Sequence, residues 1–254
     1  MDLLTITARP EIHKEKFSLL VHGFRPFFLL TSIYGSVFLS AWLAIFFEAA
    51  PNPVNIRPVI WHGHEMVFGF AFAAVCGFLL SATPTWSGGQ PIKGRQLGII
   101  VGAWIAGRAA MWLDATLHTW LVALFDLALI PALTVALWPV LTSPKSRKNL
   151  IFLIVLGAFF AANLMFHFET SALSEGTALG GLTLGVHLLA LLIVIVIGRI
   201  VPTFIAVERL ATEGPKPPLS SPALEWLAIV SVALVLASDL IDHEAAWVGL
   251  LALA

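Results

Sequence analysis

The stretch Trp61-His62-Gly63-His64-Glu65 sets two imidazoles and a carboxylate at the head of a long apolar run, Met66 to Leu80. Imidazole and carboxylate bind metal ions and carry protons. Both are costly near hydrocarbon, so ionisable groups inside a membrane segment are functional candidates by default. On a regular helix, at about 100° per residue, His62 and Glu65 share a face with Gly69 and Cys76. His64 lies nearly opposite, with Phe68, Ala71, Val75 and Phe78. Two histidines so placed do not easily ligate one ion. They can serve two centres, one on each side of the helix.

The elements that must position these groups follow from composition. Of 254 residues, 59% are hydrophobic and 11% charged, against about 25% charged in a soluble domain. The expected fold is all-α, a polytopic transmembrane helix bundle, because a helix satisfies its backbone within one segment. At ~20 apolar residues per span, about seven spans are expected, roughly 26–47, 60–82, 96–113, 117–141, 150–169, 178–199 and 222–240. An eighth begins near Ala245 and is cut off at Ala254, so the chain reads as a fragment or a natural truncation. Residues 1–25 read as a polar N-terminal segment and 26–254 as the bundle. The single cysteine, Cys76, excludes an intramolecular disulfide and a Cys-rich metal site. A net charge of −1 points to no nucleic-acid partner; the lipid bilayer is the expected surroundings.

Basic residues alternate along the chain. Arg9, Lys14, Lys16 and Arg25 precede the first span, and Lys93, Arg95, Lys145, Arg147, Lys148, Arg199, Arg209 and Lys216 mark every second loop. Acidic residues dominate the loops between. The positive-inside rule puts the N-terminus in the cytoplasm and Trp61–Glu65 at the outer end of the second span. Ser32, Ser36 and Ser40, and likewise Gly98, Gly102 and Ala106, recur every four residues as expected helix-packing stripes. Pro131 is expected to kink its helix.

With this orientation His62, His64, His167 and His187 fall in a common outer-half layer, and Asn163 shares a helix face with His167 at i, i+4 spacing. The four histidines are the candidate metal ligands. Imidazole suits haem iron and copper, and the low charge around these groups suits a large flat cofactor better than a bare hydrated ion. Glu65 has three readings: partner fixing a histidine tautomer, direct ligand, or proton relay. Asn163 and Asp126 join it as candidate supporting or relay groups. Arg108 and Arg57 can pair with haem propionates; Arg108 can equally pair with Asp114 or extend to the interface.

Several ordered motifs resemble the NnrS family. They are Gly23-Phe24-Arg25-Pro26-Phe27-Phe28, then Trp61-His62-Gly63-His64-Glu65-Met66 with Phe68-Gly69-Phe70. Gly77-Phe78-Leu79-Leu80 through Pro84 and Trp86, Gly107-Arg108, and Gly198-Arg199-Ile200-Val201-Pro202-Thr203-Phe204 follow. The resemblance implies a haem- and copper-containing protein of a bacterial inner (cytoplasmic) membrane, linked to nitric oxide metabolism and tolerance of nitrosative stress. It does not say which histidine holds which metal. By analogy with haem–copper oxidases, His62 and His64 are assigned to separate centres, with His167 and His187 as partners. Nitric oxide or a species derived from it is the implied partner; the electron donor, the catalytic residues and whether the protein turns over a substrate stay open. The competing reading is a transporter or channel for a metal ion or small solute. A third is a structural subunit whose histidines only bond across helices.

Overall fold

The computed structural model describes residues 18–144, 149–212 and 222–241, and all regular structure among them is helical. A short 3-10 turn, Leu19–Val21, leads into α1 (Phe24–Phe46). Then come α2 (Pro58–Ser87), α3 (Gly94–Trp112), α4 (Thr119–Leu141), α5 (Ile151–Thr170), α6 (Thr177–Thr212) and α7 (Pro222–Ile241). A helix therefore stands at each of the seven expected spans, though α6 continues to Thr212, beyond its expected end.

Among the described residues five helices are long and apolar enough to cross a membrane: α1, α2, α4, α5 and α6 as far as Val207. Helix α3 carries Arg95 and Arg108, and the described side chains of α7 include the apolar stretch Trp226–Asp239. The eighth span expected from Ala245, most of the 1–25 segment and most of the 211–222 connector lie outside the described residues.

Helix α2 is the axis of the bundle. It packs on α1, α4 and α6, while α3 lies on α4 and α5 on both α4 and α6. Pro58 starts α2 at a position where its missing N–H costs nothing. The middle of α2, Glu65–Ala71, is π-helical, a local widening often found at functional sites. Buried Phe72, Cys76, Leu79 and Leu80 then anchor its second half in the core.

Helix α4 breaks at Ala128, one turn before Pro131. A proline ring crowds the carbonyl four residues back and offers it no N–H, so the break falls where that clash acts. The packing stripes differ from expectation. Ser32, Ser36 and Ser40 lie on the exposed face of α1. Each donates its hydroxyl to the carbonyl four residues earlier, at 2.9 Å, which satisfies it without a neighbouring helix. A Cβ on Gly102 would meet nothing, whereas one on Gly107 would lie 3.1 Å from Asp126 Cα. The close α3–α4 approach thus uses Gly107, one residue from the expected stripe.

At one end of the bundle the α1–α2 loop is tied to the α3–α4 loop. Asp114, buried, accepts from the Asn55 backbone N–H at 2.9 Å. At the other end Arg199 lies over the Trp86 and Phe152 rings, 5.4 and 4.9 Å from their centroids, and donates to buried Asn149.

Candidate metal centre

The polar residues of α2, α3, α4 and α5 converge on one buried network. His64 and Glu65 are fully buried, as are Asp126 at 2% and His167 at 3% exposure. A charge this deep persists only when paired. The Arg108 guanidinium provides the pairing: Nη1 donates to Glu65 Oε1 and Nη2 to Asp126 Oδ1. Its Nε has no hydrogen-bond partner among the described residues. Both arms are thus held by protein carboxylates. Asp114, the alternative partner weighed for Arg108, instead holds the α1–α2 loop.

Asp126 is the hub. Its Oδ2 faces His167 Nε2 at 2.9 Å and His64 Nε2 at 3.2 Å, and accepts from Asn163 Nδ2 at 2.8 Å. His64 is held at both ring nitrogens: Nδ1 faces Glu65 Oε1 at 3.1 Å and Nε2 faces Asn163 Oδ1 at 2.9 Å. Glu65 is fixed from a further side by the Tyr34 hydroxyl of α1, which donates to Oε2. Trp112 Nε1 donates in turn to the Tyr34 oxygen at 3.1 Å. Trp104 Nε1 donates to the Gly69 carbonyl at 3.0 Å, one of the groups that a π-helical turn leaves accessible.

His64, Asp126 and His167 each offer a ligand atom, and these atoms lie within 4.8 Å of one another. A metal bonded at ~2.0 Å to nitrogen and oxygen holds tetrahedral ligand atoms ~3.3 Å apart. The separations of 3.2 and 2.9 Å from Asp126 Oδ2 to the two Nε2 atoms are close to that edge. The donor set suits a small N/O-preferring cation. Glu65 and Asn163, bonded to His64, are the outer partners that orient a ligating imidazole. A haem does not fit between the same residues. Phe166 packs 4.1 Å and Phe68 5.1 Å from the His64 ring, and Phe166 lies 5.2 Å from His167. Those rings fill the space a flat macrocycle would need.

The other candidates lie elsewhere. His62 leaves α2 on the side away from His64. Its ring is stacked between Trp42, at 4.4 Å, and Phe38, at 5.6 Å, and its Nδ1 is buried without a partner among the described residues. His187 faces α7: Nδ1 lies 2.8 Å from the Thr183 carbonyl and Nε2 3.4 Å from Asp239 Oδ2. Arg57 is exposed at the start of α2. Tyr34 and Trp112 had drawn no notice in the sequence. The available signal was that Tyr34 is the chain's single tyrosine, placed within an apolar helix.

Among curated proteins and among solved structures, none matches the chain. The family described as NnrS protein matches residues 18–254. That range opens just before the Gly23–Phe28 motif and takes in every residue of the buried network, so the chain belongs to the NnrS family.

Proposed function

We propose that this chain is a metal-binding integral membrane protein of the nitric oxide response, with copper held by His64, Asp126 and His167. The supporting observation is the convergence of these three donors from three helices, oriented by Arg108, Glu65 and Asn163. Copper accepts imidazole and carboxylate ligands, and when bound it supplies one-electron chemistry and an affinity for small nitrogen oxides. The residues themselves exclude bulk water, hold the imidazoles in register and keep the site's charges paired. Family membership supports the link to nitric oxide.

The haem of the same reading finds no fitted place among the described residues. His62 has an unpartnered buried Nδ1, but Trp42 and Phe38 cover the two faces of its ring at 4.4 and 5.6 Å, which leaves a macrocycle no more room there than at His64. The basic residues Lys93, Arg95 and Arg199 gather at one end of the bundle's helices and Asp114 at the other. That pattern supports an inner-membrane orientation with the N-terminus cytoplasmic and the metal site towards the outer half.

Metal analysis and an absorption spectrum of the purified chain in lipid nanodiscs test the assignment. Copper is expected in stoichiometric amount, lost in His64→Ala and in Asp126→Asn. A colourless, copper-free protein that carries a solute across liposomes would overturn the assignment in favour of transport.

A further inference from the structure

Helix α1 carries a column of aromatic rings from the buried network towards the α1–α2 loop. Tyr34 stacks on Phe38 at 5.5 Å and 15° between planes. Phe38 stacks on His62 at 5.6 Å and 6°, and His62 on Trp42 at 4.4 Å and 15°. The spacing Tyr34, Phe38, Trp42 is i, i+4, i+8, so one helix face supplies three rings and α2 inserts the fourth. Three indoles stand edge-on to this column. Trp104 lies 5.3 Å from Tyr34, Trp61 4.9 Å from Phe38, and Trp112 6.0 Å from Phe38 and 5.1 Å from Trp61.

Burial of apolar surface explains a cluster of rings. It does not explain the polar handles at the column's inner end. The Tyr34 hydroxyl is bonded to a carboxylate as donor and to an indole N–H as acceptor. Phenol and indole are the side chains most readily oxidised by one electron. A phenol gives up its electron at low potential only where its proton has somewhere to go, and here a carboxylate oxygen already holds that proton in a hydrogen bond. The indole bonded to the phenol oxygen is partly exposed at the end of α3.

We propose that Tyr34 is a redox-active residue and that Trp112 connects it to the membrane face at the α1–α2 loop end. The reaction is the removal of one electron by a small radical oxidant such as nitrogen dioxide. The oxidant takes an electron from the Trp112 indole and becomes nitrite. The indole radical cation takes an electron from Tyr34. The Tyr34 O–H bond breaks, its proton passes to Glu65 Oε2, and a neutral phenoxyl radical remains. Tyr34–OH, Glu65 carboxylate and nitrogen dioxide thus become Tyr34–O•, protonated Glu65 and nitrite, with atoms and charge conserved. The path does not depend on which metal occupies the neighbouring site. Its consequence is that an oxidising equivalent is drawn to one defined ring instead of damaging the metal ligands at random.

The experiment uses the full chain in lipid vesicles free of other protein, with photogenerated ruthenium(III) tris-bipyridine as the water-soluble one-electron oxidant. Freeze-quenched samples are read by electron paramagnetic resonance. Because the chain has one tyrosine, any tyrosyl signal belongs to Tyr34, and Tyr34→Phe must abolish it. Trp112→Phe keeps an apolar ring in place and is expected to slow appearance of the tyrosyl by about tenfold, equivalent to roughly 1.4 kcal/mol on the barrier. Absence of a tyrosyl radical in the wild-type chain, under conditions that oxidise free tyrosine, overturns the proposal. An unchanged rate in folded Trp112→Phe, checked by its unfolding temperature, overturns the route through Trp112.

Discussion

Gly69 lies directly beneath Arg108: a Cβ added there would stand 2.9 Å from Nη1, and equally 2.9 Å from Glu65 Oε2. The absence of a side chain at one position is therefore what lets a guanidinium reach a carboxylate at the centre of the bundle. Gly69→Ala must displace one of them or shift the helix, at a cost of about 1–3 kcal/mol for an overpacked core. The expected outcome is a lowered unfolding temperature together with loss of bound metal. Unchanged stability and metal content would show that Arg108 has room to move.

Among the described residues Arg108 is the one arginine or lysine paired with Glu65 and Asp126. Arg108→Gln leaves two buried carboxylates without it, and breaking one buried pair costs about 3–5 kcal/mol. Little folded protein is expected by size-exclusion chromatography. The double variant Arg108→Gln with Glu65→Gln removes one charge of each sign, so partial recovery of the monodisperse peak is expected. A single lysine is not an adequate substitute, because one ammonium lacks the fork that bonds two carboxylates at once.

Asn163 touches His64 and Asp126 without offering a ligand of its own. Asn163→Ala is expected to weaken metal binding by about 10–100-fold, the usual effect of removing an outer partner. A competition titration against a copper chelator measures this. An affinity equal to wild type would place the metal away from His64 and Asp126.

The loop tie supplies a contrast. Asp114→Ala frees the Asn55 backbone N–H from its carboxylate, and a hydrogen bond to a charged group contributes about 1.5–3 kcal/mol. A lower unfolding temperature with full metal content is expected, since among the described residues the hydrogen bonds of Asp114 go to Asn55. Loss of metal in this variant would mean that the loops, and not just the helices, set the site.

The helices were legible because lipid demands long apolar runs, and Lys93, Pro131 and the acidic loops punctuate them. The individual polar candidates were legible for the same reason: Asp126, Asn163 and His167 are conspicuous among leucines and phenylalanines. What hydropathy cannot carry is which helix faces which. Arg108 looked able to meet Asp114, six residues on, and instead meets Glu65 and Asp126 across helix boundaries. Tyr34 escaped notice because a lone phenol in an apolar helix resembles any packing aromatic until its hydroxyl is seen to meet Glu65. The serine stripe of α1 misled because a hydroxyl can bond its own helix as well as a neighbour.

The widened turn at Glu65–Ala71 fixes how the two halves of α2 are rotated against each other. A π turn holds about one residue more than an α turn, and each residue is worth about 100° of rotation. Deleting a single residue there would close the backbone into ordinary helix and leave His64 on nearly its present face relative to Leu79 and Leu80, whereas a deletion in the regular helix after Phe72 would swing it by roughly that angle. The π turn is therefore the one stretch of α2 between the histidine and its anchoring leucines that can shorten without turning the ligand off its site.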